Sequence, residues 1–324
     1  MIDQPLTVVV PTFQRPDRLM RAVRSLFEQT LVARGFALVI VDNCPTASAA
    51  EAIRQLRVEC PATVKLIALS ETNPGVATAR NTAMSAVTTD LVAFLDDDQT
   101  APQSWLEHLL LSYERYPASV TFGPVKTALP EGQKRHRAYF SAFFGREPLL
   151  QSGYIDTVFG IGNALVDFST LTAPDGIWFD TSMNEVGGED DLLFELVRAQ
   201  KGHFAWAGQA SVWEHPDPER IKLTYTLRRA FSYGQGPITL ARKAKPTKYL
   251  TWLMWVLVGL GKAVWHGAQW LALELVRHPG RAFQLDAAVR GIAKPLWFLT
   301  MRFYGAAAVK QPAKAEGLTP VVAE

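Results

Sequence analysis

The chain has 324 residues, of which 48% are hydrophobic and 20% are charged. This composition can bury at least one sizeable core and excludes a disordered or fibrous protein. The two cysteines, Cys44 and Cys60, exclude a disulfide framework and a four-cysteine zinc site. The N-terminal segment carries an acid and a proline before its apolar run, which is unlike a secretory signal and predicts a reducing, cytosolic compartment.

The formal net charge of +2 conceals opposite balances in two parts of the chain. Residues 1–219 contain 17 Lys and Arg against 27 Asp and Glu, whereas residues 220–324 contain 16 against 4. The first part is therefore acidic by 10 charges and the second basic by 12, and the second also holds five of the nine tryptophans. Basic charge mixed with Trp and Leu favours an anionic membrane surface over a nucleic acid as the partner.

Strand and helix patterns alternate over residues 1–125, which predicts a parallel α/β sheet. Polar residues follow the predicted strands, at the edge where open α/β sheets bind ligands. Residues 130–150 are basic and aromatic without a clean period and predict a loop, and Gly187–Phe194 predicts an acidic helix start. The predicted strands are Leu6–Val10, Phe36–Val41, Val64–Leu69, Leu91–Leu95 and Ser119–Val125, and the predicted helices are Pro16–Gln29, Ala47–Arg57, Val76–Ala86 and Trp105–Tyr116.

Three consecutive carboxylates, Asp96, Asp97 and Asp98, follow a strand that should be buried. Adjacent carboxylates repel each other unless a cation or solvent relieves them. Because Asp96 and Asp98 are two residues apart, an extended backbone would direct both to the same side. That arrangement suits Mg²⁺ or Mn²⁺ with a diphosphate completing the coordination shell. A solvated acidic turn is the alternative.

A second acidic segment, Gly187–Asp191, precedes the apolar run Leu192–Phe194. Glycines followed by acids mark a helix start, where negative charge is favoured by the helix dipole. The segment is therefore either a simple cap or the position of a general base in a cleft. A metal together with a base would suit a nucleotide-sugar reaction.

These segments resemble the motifs of family 2 glycosyltransferases, and they occur in the family's order over residues 1–235. The resemblance is strongest to the bacterial exopolysaccharide branch, with the succinoglycan-synthesis glucosyltransferases as the nearest type. The donor-side elements are Val8–Phe13 with Arg15, Val41–Asn43, Asn73–Gly75 with Ala79–Asn81, and Phe94–Asp98 with Trp105 and Leu106; the acceptor-side elements are Gly160–Asn163, Phe179–Asp180 and Gly188–Asp190.

The resemblance implies an α/β GT-A fold, in which a Rossmann-like nucleotide-sugar-binding half, residues 1–125, is joined to an acceptor half, residues 126–235. It also implies an inverting, metal-dependent hexosyltransferase with a nucleotide sugar, expected to be a UDP-hexose, as donor. By carry-over, the donor would be bound by Thr12, Arg15, Asp42, Asn73, Arg80 and Asp96, the first three at the base and ribose.

The remaining roles that the resemblance implies concern the metal and the acceptor. Asp98 would bind Mn²⁺ or Mg²⁺ with His215 as a second ligand, Asp190 would be the general base, and Gly162, Asn163 and Glu189 would lie on the acceptor side. Three residues depart from the family's pattern or blur it. Asn43 stands where many relatives have an acid, Asp97 leaves the register of the acidic motif open by one position, and Asp191 leaves the identity of the base open.

Residues 236–310 predict a basic, Trp-rich helical region that associates with a membrane. Its uncharged run Tyr249–Gly261 has 13 residues, fewer than the ~20 that a spanning helix needs. Lys262, His266 and Gln269 share one helical face, which favours a helix lying in the interface. A second amphipathic pattern covers residues 285–304, and residues 311–324 predict a disordered tail. The alternatives are a single tilted transmembrane helix over 249–276, a structural lid and a homo-oligomer contact.

The sequence as a whole predicts a glycosyltransferase at the cytoplasmic face of a bacterial inner membrane, peripheral or monotopic, with no nucleic-acid partner. The expected acceptor is a lipid-linked oligosaccharide or another glycan, in surface or exopolysaccharide synthesis. One rival is a non-catalytic carbohydrate-binding protein, and the intact Asp96, Asp98 and Asp190 argue against it. The other is a nucleotidyltransferase, whose phosphate loop would be glycine-rich, whereas Pro11–Arg15 contains no glycine.

Overall fold

A computed structural model describes residues 4–148, 150–184, 188–243 and 249–299. Strands and helices alternate in its first part, as the sequence predicts. The strands are β1 (Leu6–Thr12), β2 (Phe36–Asp42), β3 (Val64–Ser70), β4 (Leu91–Leu95), β5 (Gln99–Thr100), β6 (Val120–Phe122), β7 (Val125–Thr127), β8 (Gly153–Ile155), β9 (Asn163–Asp167), β10 (Phe204–Trp206) and β11 (Val212–Glu214). The helices are α1 (Pro16–Phe27), α2 (Ala50–Glu59), α3 (Val76–Met84), α4 (Trp105–Arg115), α5 (Arg137–Phe144), α6 (Asp190–Ala199), α7 (Leu223–Gly234), α8 (Gly236–Lys243), α9 (Tyr249–Leu275) and α10 (Arg281–Ile292).

Eight strands form the central sheet in the order β3-β2-β1-β4-β9-β6-β10-β8. The four strands β3, β2, β1 and β4 are parallel, which confirms the prediction for that half of the sheet. In the other half, β9 from residues 163–167 lies between β4 and β6 and is antiparallel to both, so the sheet as a whole is mixed. A small second sheet, β5-β11-β7, stands beside it.

The predicted strand Ser119–Val125 is two strands, β6 and β7, one in each sheet. The break falls at Gly123 and Pro124. A Cβ on Gly123 would overlap the carbonyl oxygen of Ala210, so only glycine fits this close approach. Pro124 has no N–H to donate to a ladder, which ends the strand there.

Two apolar cores lie on opposite faces of the parallel strands, since successive side chains of a strand point to opposite sides. Val8 and Val10 of β1 face the core formed with α1, α2 and α4, whereas Val9 faces the core formed with α3 and α6. Both faces of the strands are thus covered, which explains their continuous apolar sequences. The polar residues at the carboxyl ends of these strands belong to neither core and are therefore candidates for a functional site.

Residues 130–150 contain a helix, α5, so the loop prediction for that segment is wrong. Tyr139 and Phe140 are buried, and Phe143 and Phe144 pack against the same small core. The pairs are four residues apart, which places them on one helical face. The hydroxyl of Tyr139 donates to Asp286 at 3.0 Å, so α5 is joined to α10.

The C-terminal helices form a layer in which α9 packs on α10, and α10 packs on α7. Gly259 of α9 and Gly291 of α10 meet at the crossing, where a Cβ on Gly291 would lie 2.8 Å from the Gly259 carbonyl oxygen. None of the described helices, α9 included, is both long enough and apolar enough to cross a bilayer, contrary to the tilted-helix alternative. Residues 300–310 of the predicted membrane-associating region and the predicted tail, 311–324, lie outside the described residues.

Candidate functional site

The candidate site lies at the carboxyl ends of β1, β2 and β4, where Thr12, Asp42 and Asp96–Asp98 follow or end the strands. The backbone of the acidic triplet is a turn, because the Gln99 N–H donates to the Asp96 carbonyl at 3.0 Å. The expectation of an extended backbone is therefore wrong. As a result, the three carboxylates have different partners.

The Asp97 carboxylate faces the end of β1. It accepts a hydrogen bond from Thr12 Oγ1 at 2.8 Å and one from Arg15 Nη1 at 3.1 Å. Burial raises the pKa of Asp97 to about 6, although the Arg15 charge opposes the rise. Thr12 and Arg15, both predicted to bind the donor, thus lie together at the acidic motif. The sequence assigned Asp97 no role, because three equal neighbours give no sign of which carboxylate points where.

Asp98 is the carboxylate on which arginines converge. Its Oδ2 lies 3.2 Å from Arg15 Nη1, 3.8 Å from Arg18 Nη1 and 3.5 Å from Arg220 Nη1. Arg15, Arg18 and Arg220 also contact Asp217, the first and last at 3.7 Å. Sequence reasoning missed Arg18, Arg220 and Asp217. For Arg18, the one signal that the sequence offered was the side of helix α1 on which this residue lies.

Asp42 ends β2 and organises the loop that follows it. Its two carboxylate oxygens accept the backbone N–H groups of Cys44 at 3.2 Å and Ala49 at 2.8 Å. Burial raises the pKa of Asp42, and these two hydrogen bonds oppose the rise. The neighbouring Asn43 donates to the Asn73 carbonyl at 2.7 Å and accepts the Gly75 N–H at 2.6 Å. Asn43 therefore holds the turn that carries the exposed Asn73. An ionised acid at this position could accept the Gly75 N–H but could not donate to the Asn73 carbonyl.

Arg80 of α3 joins the two halves of the site. Its Nη1 lies 2.5 Å from Glu189 Oε1, and its Nη2 lies 3.3 Å from Asp96 Oδ1. Burial opposes its charge, but Glu189 and Asp96 outweigh the burial and raise the pKa of Arg80 further. The predicted donor residues Arg80 and Asp96 are thus brought together with the predicted acceptor-side residue Glu189.

Asp190 is the first residue of α6, and its carboxylate faces the site. Its Oδ2 accepts the Ile161 N–H at 3.0 Å. Burial raises the pKa of Asp190 to about 6, and Glu189 adds to the rise while Arg80 opposes it. Asp191 points elsewhere: its carboxylate lies against Gly188, where a Cβ would be 3.1 Å from Oδ2. The geometry therefore favours Asp190 over Asp191 as the base.

The two predicted acceptor-side residues of the Gly160–Asn163 segment differ in what they contact. A Cβ on Gly162 would overlap the Asp96 carboxylate, so glycine permits this close approach. Asn163 is fully buried, accepts from Trp105 Nε1 at 2.8 Å, and donates to the carbonyls of Pro124 at 2.8 Å and Ala210 at 2.9 Å. Its side chain thus holds the segment in place behind the site.

His215 lies beside the acidic motif through its backbone, since its N–H donates to the Asp98 carbonyl at 2.8 Å. Its Nε2 is 2.9 Å from Thr100 Oγ1. Burial lowers the pKa of His215, and the nearby Arg21 and Arg18 lower it further. The ring is therefore neutral at neutral pH, as a metal ligand must be.

A further carboxyl group, Glu214, lies near Asp96 and Asp98 at this edge. Burial raises the pKa of Glu214 well above its ordinary value, and the nearby Asp98 and Asp96 add to the rise. Carboxylate oxygens are the ligands that Mg²⁺ and Mn²⁺ prefer. Within the described ranges, however, no three His, Cys, Asp or Glu side chains form a complete metal-binding group. A bound metal would therefore take further ligands from a substrate. Sequence reasoning missed Glu214, which precedes the predicted ligand His215.

The chain belongs to the family 2 glycosyltransferases: the model of glycosyl transferase family 2 matches residues 7–171. The succinoglycan biosynthesis protein ExoM of Rhizobium meliloti (strain 1021) is 31% identical over 234 residues, 71% of this chain and 73% of that protein. The pre-mycofactocin glycosyltransferase of Mycobacterium tuberculosis (strain ATCC 25618 / H37Rv) is 32% identical over 271 residues, but this chain spans only 53% of its length. The family resemblance noted in the sequence is thereby confirmed.

Two solved structures share the fold at low identity. The S. aureus TarS 1-349 complex with UDP-GlcNAc has a TM-score of 0.54 at 13% identity, covering 76% of this chain and 69% of that one. The mannosyltransferase PcManGT from Pyrobaculum calidifontis, in complex with GDP-Man and Mn²⁺, has a TM-score of 0.56 at 18% identity, covering 89% and 87%. These likenesses support the expected α/β GT-A fold.

Asp190→Asn is expected to lower kcat by about 10²–10⁴-fold with the donor KM nearly unchanged, because the amide keeps the shape but cannot accept a proton. In the unaltered chain, kcat/KM should fall as the pH drops below about 6, where the Asp190 carboxylate takes up a proton. Steady-state kinetics across pH 5–8 measures both effects.

Asp191→Asn is the matched control. It should keep most of the activity and show the same fall of kcat/KM at low pH. If Asp191→Asn is inactive while Asp190→Asn turns over normally, the assignment of the base is wrong.

Proposed function

We propose that this chain is an inverting glycosyltransferase that moves a hexose from a UDP sugar to a lipid-linked oligosaccharide or another glycan, in the synthesis of a surface polysaccharide. The observation that carries the proposal is the half-buried Asp190 beside the Arg80–Glu189–Asp96 cluster, at the strand ends of a family 2 fold. The nucleotidyltransferase rival conflicts with the family to which the chain belongs, and the intact Asp96, Asp98 and Asp190 argue against a non-catalytic carbohydrate-binding protein on the same fold. A nucleotidyltransferase would also have no need of a base on the acceptor side.

The donor would lie along the carboxyl ends of β1, β2 and β4, where open α/β sheets bind nucleotides. Thr12, Arg15 and Asp42 would hold the base and ribose, and Asn73, Arg80 and Asp96 would line the sugar pocket. Complexes of the two structural relatives with UDP-GlcNAc and GDP-Man support a nucleotide-sugar donor. The guanidinium groups around Asp98 supply positive charge for a diphosphate.

A divalent cation, Mn²⁺ or Mg²⁺, would be held by Asp98 and His215, with Glu214 close by. When bound, it would neutralise negative charge that develops on the departing diphosphate. The Mn²⁺ in the PcManGT complex supports this expectation.

Asp190 would take the proton of an acceptor hydroxyl as its oxygen attacks the anomeric carbon. A new carbon–oxygen bond forms on the face opposite the nucleoside diphosphate, and the bond to the diphosphate breaks. One such displacement inverts the anomeric centre, so an α-linked donor gives a β-linkage. The raised pKa of Asp190, about 6, suits a base that works near neutral pH.

A donor screen tests this proposal. The purified full-length chain, Mn²⁺ and a panel of UDP, GDP and dTDP sugars should release nucleoside diphosphate from a UDP-hexose. Asp98→Ala should abolish the release and weaken Mn²⁺-dependent binding of UDP, measured by calorimetry, without changing the circular dichroism spectrum. Full activity in EDTA would contradict the metal, and no release from any nucleotide sugar would contradict the function.

We also propose that α9 lies on the cytoplasmic face of a bacterial inner membrane, as a peripheral or monotopic contact. The face of α9 away from α10 is apolar and exposed: Leu250 is 86% and Leu275 87% accessible. A run of exposed apolar residues of this extent is typical of an interaction surface. Lys262 and Arg277 adjoin it, and residues 220–324 carry 16 Lys and Arg against 4 Asp and Glu. The other exposed members are Tyr249, Leu253, Met254, Leu257, Val258, Leu260, Val264, Trp265 and Leu271.

The full-length chain should pellet with vesicles that contain anionic lipid. Its binding should weaken at high salt without being lost completely. Each Lys or Arg near the surface contributes ~1 kcal/mol that salt screens, whereas apolar contacts are insensitive to salt. The double variant Leu250→Ser, Leu275→Ser should bind less.

The control Val58→Ser changes an apolar residue that is 88% exposed on α2 and should pellet like the unaltered chain. If the full-length chain stays in the supernatant with every vesicle, the membrane proposal is wrong, and a lid or an oligomer contact becomes the better explanation.

A further inference from the structure

Arg146 is fixed beside the site but takes no part in the reaction described above. Its backbone forms two hydrogen bonds with Val125 of β7, at 2.9 and 2.7 Å. Its Nη1 donates to the Gly160 carbonyl at 2.5 Å, and its Nη2 lies 3.4 Å from the carbonyls of both Gly123 and Asn163. The guanidinium also lies over the Phe159 ring, 5.6 Å from its centroid.

The charge of Arg146 has no close counterion. Across the described ranges of the chain, Arg146 forms no ion pair, and its partners are neutral carbonyls. Its Nε is buried and has no hydrogen-bond acceptor. Burial lowers the pKa of Arg146 to about 10, although Asp96, Glu214 and Asp190 oppose this from a distance. The guanidinium is therefore still charged at neutral pH and suited to pairing with an incoming anion.

Arg146 lies close to Asp190. Gly160 separates the two side chains: a Cβ there would be 3.5 Å from Arg146 Nη1 and 3.7 Å from Asp190 Oδ2. A sugar ring whose hydroxyl reaches Asp190 would therefore bring its neighbouring substituents to Arg146. The absence of a side chain at Gly160 leaves room for such a ring.

Arg146 also lines a cavity of about 800 Å³ on the acceptor half. Ala138, Ser141 and Ala142 of α5 line it, as does Phe159. Small residues and an aromatic ring are a suitable surface for a sugar. Glu147, the one acid of the lining, is exposed, so water screens its charge.

We propose that this cavity is an acceptor subsite in which Arg146 binds an anionic group, a phosphate or a carboxylate, on the glycan that receives the sugar. This inference rests on the proposed function and narrows its acceptor to anionic glycosides.

Calorimetric binding in the presence of UDP and Mn²⁺, which fill the donor site, tests the proposal. The probes are glucose 1-phosphate and galactose 1-phosphate, the methyl glycosides of glucuronic and galacturonic acid, and the neutral methyl glucoside and galactoside. The full-length chain should bind one anionic class at least about tenfold more tightly than its neutral counterpart, as one charge-assisted hydrogen bond provides. The anionic class that binds more tightly than its neutral counterpart shows whether the anion is a phosphate or a carboxylate.

Arg146→Gln should remove this preference, and Arg146→Lys should retain part of it, because the charge remains without the planar pair of donors. Arg135→Gln, an exposed arginine upstream of α5, is the matched control and should keep the preference. Ala142→Trp should prevent the anionic probes from binding, because the larger side chain fills the cavity while the contacts of Arg146 stay intact. This variant tests the proposal even if Arg146→Gln does not fold.

Three results would overturn the inference: equal binding of anionic and neutral probes, a preference that survives Arg146→Gln, or inorganic phosphate alone binding as tightly as the sugar phosphates. Hydrolysis of the donor without an acceptor is measured on the same samples. If hydrolysis persists while the preference is absent, only this inference fails. If no nucleotide sugar is hydrolysed or transferred, the proposed function fails as well.

Discussion

Contacts between arginines and carboxylates at the strand ends hold the site together. Arg80 of α3 binds Asp96 after β4 and Glu189 before α6, so one buried guanidinium joins the nucleotide half to the acceptor half. Arg220, after β11, reaches Asp98 and so joins the small sheet to the main one. Loss of one partner of a buried ion pair typically costs about 3–5 kcal/mol, because the other charge is left uncompensated. The relative positions of α3, α6 and the acidic turn are thus set by charge as well as by packing.

The same charges set the chemical properties of the site. Asp97 is buried and Asp190 half-buried, each beside other carboxylates, and the pKa of each rises to about 6, while the adjacent arginines limit the rise. The Asp190 carboxyl group is therefore mostly ionised near neutral pH. On the donor side, the arginines around Asp98 favour an anionic ligand such as a diphosphate. Asp98 and Asp190, which carry the same side chain, thus lie in different electrostatic surroundings.

Much of the nucleotide half could be predicted from the sequence, because its strands are short apolar runs bounded by turn residues. β4 has the predicted bounds, and β1, β2 and β3 exceed theirs by two residues or fewer. The antiparallel β9 between β4 and β6 was not predicted, since a strand's partner lies far away in sequence and leaves no local pattern. α5 was missed because the basic residues of the surrounding segment 130–150 obscured the aromatic face of Tyr139 and Phe140.

Within the site, residue type and order predicted which side chains converge, but not how each is oriented. Thr12 and Arg15 meet at Asp97, Arg80 meets Asp96, and Asp190 accepts the Ile161 N–H. The sequence did not separate Asp190 from Asp191, because both follow the same glycines and only the turn of α6 decides which faces inward. Arg146 and Glu214 were missed, because the burial of a charge depends on contacts between distant segments.

The anomeric configuration of the product tests the central claim, a single displacement assisted by Asp190, most directly. The full-length chain would be supplied with the α-linked UDP-hexose that it hydrolyses and with a glycan acceptor, and the new linkage would be assigned from the coupling constant of its anomeric proton by NMR. The account predicts a β-linkage. An α-linkage would contradict it, because a single in-line displacement on an α-linked donor cannot retain the anomeric configuration.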